Sequence, residues 1–319
     1  MAQFLLTMHI IRLPKCRQNQ QFEDVSLKEK TMKKLILLTL ATALFSCEKN
    51  EPGSHATTTT TTTSTSGLPT PDHIIFVWLE NKNYSQIINA STAPYINSLI
   101  AEGTFFTDFH ALGHPSYPEY IRFFSGTDNG KNDDHCITGK PYSNENLYTL
   151  LKAKGKTFAW YSEDLPATGS DTCSAGKYVE RHNPTQCFSN VPKSANKKWS
   201  DFPSNYTLLE NVVCISPNLN HDMHDGSIAE GDTWVKNNLQ NLATWCKTHN
   251  SVFVIYFDED DGSSANHIPV IAVGQPVKAN HKSSTYYDHY NMTRTILAIY
   301  GANQVLNTKS RATITDCWK

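Results

Sequence analysis

Two stretches of almost unbroken apolar residues run straight into acids, and this restricts the fold more than any other feature. His73-Ile-Ile-Phe-Val-Trp-Leu79 stops at Glu80-Asn81, and Val252-Phe-Val-Ile-Tyr-Phe257 stops at Asp258-Glu259-Asp260-Asp261. Strands with no polar alternation are buried on both faces, which predicts a parallel sheet sheathed by helices. In open sheets of that kind ligands bind beyond the carboxyl ends of the strands, where these acids fall. Clustered carboxylates repel one another and are tolerated mainly around a cation. Between the two strands lies the loop Gly113-His-Pro-Ser-Tyr-Pro118. A serine beside an oxygen-rich cation site points to phosphoryl chemistry.

The rest of the C-terminal part alternates strand and helix patterns. Helical spacing is read over Ala93–Ile100, Tyr117–Phe124, Leu147–Lys154, Asp232–Thr248 and His289–Tyr300; strands are read over Thr157–Tyr161, Asn211–Ile215 and Ile268–Val273. The expected fold is α/β, a three-layer α/β/α sandwich with a mainly parallel central sheet. One domain is expected over residues 69–319, with no internal repeat. The 319-residue chain has 39% hydrophobic residues, enough for a substantial core.

The N-terminal part reads as a targeting segment. Met32-Lys-Lys34 and the apolar run Leu35–Phe45 have the basic start and short hydrophobic stretch of a secretion signal. The run ends Leu44-Phe-Ser-Cys47 like a bacterial lipoprotein signal over residues 32–47, with Cys47 the lipidated residue. Residues 1–31 read as a leader from a mis-assigned start, and 48–68, with its threonine tract, as a disordered tether. The expectation is an exported protein held at the outer membrane, the cell surface or in the periplasm through a lipid on Cys47. Setting aside Cys16 and Cys47, six of the eight cysteines remain. That even number suggests disulfides; about 15 pairings are open to six cysteines, and a local Cys173–Cys187 bridge is expected. No Cys-x-x-Cys pair suggests a thiolate metal site. A formal net charge of −2 and the lack of a basic stripe give no expectation of a nucleic-acid partner.

Ser116 stands where a helix should begin, so it can be read as an N-cap. The same position supplies free N–H groups and a positive dipole end, which suit a nucleophile that attacks phosphorus. Asp258 and Glu259, with Glu80 and Asn81, are the expected cation ligands, whereas Asp260 and Asp261 read as a solvated acidic turn. His114 could contact phosphate, protonate a leaving group or simply bond within its loop. The segment Pro217-Asn-Leu-Asn-His221-Asp222-Met-His224-Asp225-Gly226 and His267 add a second locus for phosphate or metal. Oxygen ligands alone suggest Ca²⁺, Mg²⁺ or Mn²⁺, while added histidines suggest Zn²⁺, Mn²⁺ or Fe.

The segments 78–87, 93–126, His182-Asn-Pro184, 217–235, 256–262, 266–274 and 286–301 together resemble the phosphoesterase family of bacterial acid phosphatases and phosphatidylcholine-type phospholipases C. That family lies within the alkaline-phosphatase-like superfamily. The resemblance implies an α/β/α sandwich and a phosphoserine intermediate on Ser116. It further implies a metal held by Glu80, Asn81, Ser116, Asp258 and Glu259. Residues matching His221, Asp222, His224 and His267 would surround the phosphate or bind a further metal, Asn81 and His114 are expected phosphate contacts, and Asp288-His289-Tyr290 would play a positional part. Glu259-Asp260-Asp261 departs from the glycine-rich or histidine-bearing turn of many relatives. The expected function is metal-dependent hydrolysis of a small phosphorylated substrate, a phosphomonoester first. The alternatives are a phosphodiesterase or phospholipase C of the same family, or a surface binding protein on this fold.

Overall fold

The computed structural model describes residues 67–319. The leader, the signal, Cys47 and residues 48–66 of the expected tether lie outside the described residues; Leu68, read as the last tether residue, is instead buried in the core. Among the described residues, strands β1 (His73–Leu79), β2 (Thr104–Phe106), β3 (Phe109–His110), β4 (Phe158–Ser162), β5 (Ser174–Ala175), β6 (Tyr178–Val179), β7 (Asn196–Lys198), β8 (Val212–Ser216), β9 (Ser251–Phe257), β10 (Val270–Gly274), β11 (His281–Ser283) and β12 (Tyr287–Asp288) alternate with helices. The helices are α1 (Tyr84–Ile87), α2 (Pro94–Glu102), α3 (Ser116–Ser125), α4 (Leu147–Lys152), α5 (Ile228–Cys246) and α6 (His289–Ile299). The main sheet has eight strands in the order β11-β2-β10-β9-β1-β8-β4-β7. Only β10 runs against its neighbours; β9, β1, β8, β4 and β7 form one parallel block.

β1 is buried at every position and pairs with β8 and β9. Its even-numbered side chains meet α3 and α6. The Trp78 ring lies 4.6 Å from Tyr120, 4.8 Å from Phe123 and 4.8 Å from Tyr256, and it stacks on Trp160 at 5.6 Å. Each such aromatic pair adds about 0.5–1.5 kcal/mol beyond its buried area, so this cluster fixes the seat of α3 under the sheet edge. α2 packs on α5 and α3 on α6, giving the two helical layers of an α/β/α sandwich. Helix α3 stops at Gly126, whose φ of +75° suits glycine as a left-handed cap.

Most expected elements are found, with shifted ends. The helix expected at Asp232 begins a turn earlier, because the Ser227 side chain caps it through Glu230 N–H. The disulfide expectation is corrected: Cys136 bonds Cys173, and Cys187 is a buried free thiol. Cys187 is drawn into the core by Phe188 and Tyr117, whereas Cys173 stays in an exposed loop facing Cys136.

Candidate active site

Parallel pairing brings the ends of β9, β1, β8 and β4 to one edge of the sheet, and backbone bonds continue across it. Asp258 N–H donates to Leu79 carbonyl at 3.2 Å, Glu80 N–H to Asp222 carbonyl at 2.8 Å, and Glu163 N–H to Ser216 carbonyl at 3.0 Å. Acids about 180 residues apart in sequence are thereby held side by side. Asn81 turns left-handed at φ +47°, a region asparagine tolerates, and its N–H donates to Asp258 Oδ1 at 3.2 Å. Met223 lies at φ +81° between Asp222 and His224. That conformation costs a non-glycine residue about 1–3 kcal/mol and persists only where packing enforces it; Met223 is fully buried.

Ser116 is the first residue of α3 and is 1% exposed. The N-cap reading is corrected: Pro115 occupies the cap position and has no side-chain acceptor to offer, and the Tyr117 N–H in the first turn is taken by Asp134 at 3.0 Å. The Ser116 hydroxyl instead points into the acids, 2.8 Å from Glu259 Oε1, 3.2 Å from Glu80 Oε2 and 3.4 Å from Asn81 Oδ1. His114 Nδ1 lies 2.8 Å from the other Glu259 oxygen and its Nε2 lies 3.1 Å from Asp260 Oδ1. Beside His114 a polar cleft of about 360 Å³, walled by Leu112, Asp260, Gly262, Ala265 and Asn266, opens to solvent.

Behind Ser116 stands a second group. His182 Nδ1 lies 3.1 Å from Asp222 Oδ2 and its Nε2 lies 3.4 Å from Glu80 Oε2, and one donor atom from each of the three residues falls within 4.8 Å of the others. Tyr120 stacks on His182 at 5.4 Å and donates its hydroxyl to Glu80. Burial pushes the carboxyls of Glu80 and Asp222 well up, and Asp258 adds to both. Burial raises Asp258 as well, and burial with Asp258 alongside pushes Glu259 up to about 10. Burial drives His182 well down, aided by Arg181 and His224. Four buried carboxyls thus resist ionisation, and Asp258 Oδ2 is buried without a hydrogen-bond partner. The donor set and its unspent acceptor fit a divalent cation.

The structure brings together Glu80, Asn81, Ser116, Asp258, Glu259, His114 and Asp222. His224 lies at the rim, with Nε2 3.4 Å from Arg181. His221 turns away to Glu163 at 2.8 Å and stacks on Trp234. His267 bonds the Thr107 carbonyl at 3.0 Å and is sandwiched between Tyr84 and His110. The solvated-turn reading holds for exposed Asp261 and is corrected for Asp260, which is buried. Asp260 accepts the N–H groups of Gly262, Ser264 and Asn266 and so shapes the cleft wall. Asp288 caps α6, and His289 Nε2 sits 2.6 Å from Asp258 carbonyl, the positional part expected of that motif. His182, Tyr120 and Arg181 were missed as site residues; the only signal was the His182-Asn-Pro184 triplet.

A serine at a helix start, faced by converging carboxylates at the sheet's carboxyl edge, is an arrangement suited to the hydrolysis of an ester. The chain matches the phosphoesterase family over residues 76–303 and belongs to it, and is a phosphoric ester hydrolase. It is 42% identical over 256 residues to a phosphatidylinositol-3-phosphatase of Mycobacterium tuberculosis, covering 79% of this chain and 85% of that protein. It is 27% identical to the phosphate-repressible acid phosphatase of Penicillium chrysogenum, covering 72% of this chain and 59% of the fungal protein. Among solved structures, an alkaline phosphatase superfamily protein of Vibrio parahaemolyticus shares the fold at a TM-score of 0.50 and 12% identity, covering 76% of this chain and 71% of that one.

Proposed function

We propose that this chain is an exported, metal-dependent phosphomonoesterase that works through a phosphoserine on Ser116. The observation that carries the reading is the Ser116 hydroxyl, buried at the start of α3 and directed at Glu259, Glu80 and Asn81. The names of the mycobacterial and fungal relatives, both phosphatases, support a monoester over a diester.

A divalent cation held by Glu80, Asn81, Asp258 and Glu259, with Asp222 and His182 adjacent, would neutralise the converging acids and favour the Ser116 alkoxide. The chain's own residues supply the rest. Ser116 Oγ gives up its proton toward Glu259 and bonds to phosphorus while the bond to the substrate alkoxide breaks, and the alkoxide leaves as the alcohol by taking a proton from solvent water. Ser116 lies at the positive end of the α3 dipole, which favours negative charge on the phosphoryl group, although the Tyr117 N–H is already bonded to Asp134 and Pro118 has none to offer. Water then cleaves the phosphoserine, releasing phosphate and restoring the hydroxyl.

Export is supported by the signal-like run before Cys47 and by the Cys136–Cys173 bridge, which suits an oxidising compartment. Fatty-acid labelling that is lost in Cys47→Ala supports the lipid anchor; equal labelling of both rejects it. The catalytic reading is tested by hydrolysis of p-nitrophenyl phosphate, bis-p-nitrophenyl phosphate and p-nitrophenyl sulfate, with and without EDTA. EDTA-sensitive turnover of the monoester, well above the other two, is expected. Preference for the diester or indifference to EDTA would refute that part of the reading.

A further inference from the structure

Glu180 lies where three segments cross, and it is 1% exposed. One carboxyl oxygen accepts the Tyr117 hydroxyl and stands 3.7 Å from the Cys187 thiol; the other accepts Ile137 N–H at 3.2 Å. Its own N–H donates to the Cys173 carbonyl at 2.9 Å. Ile137 follows Cys136, which is bonded to Cys173. The disulfide therefore closes a short ring that grips Glu180 by both side chain and backbone.

What Glu180 joins is the site itself. Tyr117 follows Ser116, and Arg181 and His182 follow Glu180 in sequence. The same loop supplies Asp134, whose carboxylate accepts Tyr117 N–H at 3.0 Å in the first turn of α3. No backbone pairing of the main sheet links α3 to the 180–182 segment, so their relative placement rests on side-chain contacts: those of Glu180, together with the Tyr120–His182 stack and the His182–Asp222 bond. A disulfide elsewhere would act mainly on the unfolded chain. This one also seats the partner of the residue next to the nucleophile.

We propose that Glu180, seated by the Cys136–Cys173 bridge, is a positioning residue that sets Ser116 against His182, so that the bridge governs turnover as well as stability. The proposal rests on the phosphomonoesterase reading. A displacement of about 1 Å between reacting groups can cost on the order of a hundredfold in rate.

The test is steady-state kinetics on p-nitrophenyl phosphate at 20 °C, with divalent cation present and melting temperature measured in parallel. Cys136→Ser/Cys173→Ser should lose about tenfold or more in kcat, with KM changed by less than about threefold. Glu180→Ala should show a similar loss. Adding it to the double serine variant should cost little more, because the bridge acts through Glu180. Glu180→Gln keeps an acceptor and should recover most of the rate. A lower melting temperature with unchanged kcat, or losses that multiply in the triple variant, would overturn the proposal. If the serine variants do not fold, Tyr117→Phe and Glu180→Ala are combined with the bridge intact; losses that multiply again overturn it, and losses that do not multiply support it. A wild-type enzyme inactive on every phosphate ester would sink the phosphomonoesterase reading and this proposal with it. An active wild type with indifferent variants sinks this proposal alone.

Discussion

Replacing Glu259 by glutamine should make the metal-free protein more stable at neutral pH while weakening its response to metal. Glu259 is 3% exposed, and burial with Asp258 alongside raises its carboxyl from 4.5 to about 10. A raised carboxyl contributes its stability fully below pH 4.5, and that contribution is lost as pH climbs toward the folded value. In the window between, the unfolded chain is ionised and the folded one protonated, so stability falls by about 1.4 kcal/mol per pH unit. At pH 7 the accumulated cost is about 3 kcal/mol. Glutamine is neutral in both states and close in shape to the protonated acid, so Glu259→Gln removes the cost. For a domain of this size that gain raises the melting temperature by about 6–12 °C. Urea unfolding of both proteins in EDTA from pH 5 to 8 reads it directly, and the two stability lines should diverge as pH rises. A divalent cation at a hundred times its dissociation constant should then stabilise the wild type by about 2.7 kcal/mol, and the variant by less. Parallel lines in EDTA, or equal stabilisation by metal, would refute the reasoning.

The other predictions concern rate and stoichiometry. Ser116→Ala should fold normally and lose at least about a thousandfold in kcat; retention of a tenth of the wild-type rate removes Ser116 as nucleophile. Asp258→Asn should lower bound metal in step with activity, and stoichiometric metal in an inactive variant would exclude it as a ligand. His182→Ala and Asp222→Asn separate two roles: a change in metal per chain assigns them to a second cation, whereas constant metal with weaker vanadate inhibition assigns them to phosphate. If the cleft beside His114 holds the substrate's alcohol, Leu112→Trp should lower kcat/KM for a sugar phosphate by about tenfold and leave methyl phosphate nearly unchanged, and equal effects on both would place the alcohol elsewhere.

The strands and their acidic ends were legible because burial on both faces leaves a compositional mark that no surface strand carries. β1 is found at the bounds read from the sequence, and β9 differs by one residue. Once those strands are parallel neighbours, Glu80 and Asp258 must share an edge, so the carboxylate cluster follows from the local patterns and that one pairing. His182 was not legible in the same way: it sits on a single turn of 3-10 helix after two short strands, with no periodicity to report its direction. Only the long return of the chain places its ring between Asp222 and Glu80. Asp260 shows the same limit, since an acid in a polar loop looks solvated until three backbone N–H groups converge on it. The Cys136–Cys173 pairing was likewise decided by tertiary packing, which buried Cys187 against Tyr117 and left Cys173 facing Cys136. Local sequence fixes which backbone a segment prefers and which face it hides. The meeting of loops distant in sequence depends on contacts that exist only once the sheet has formed.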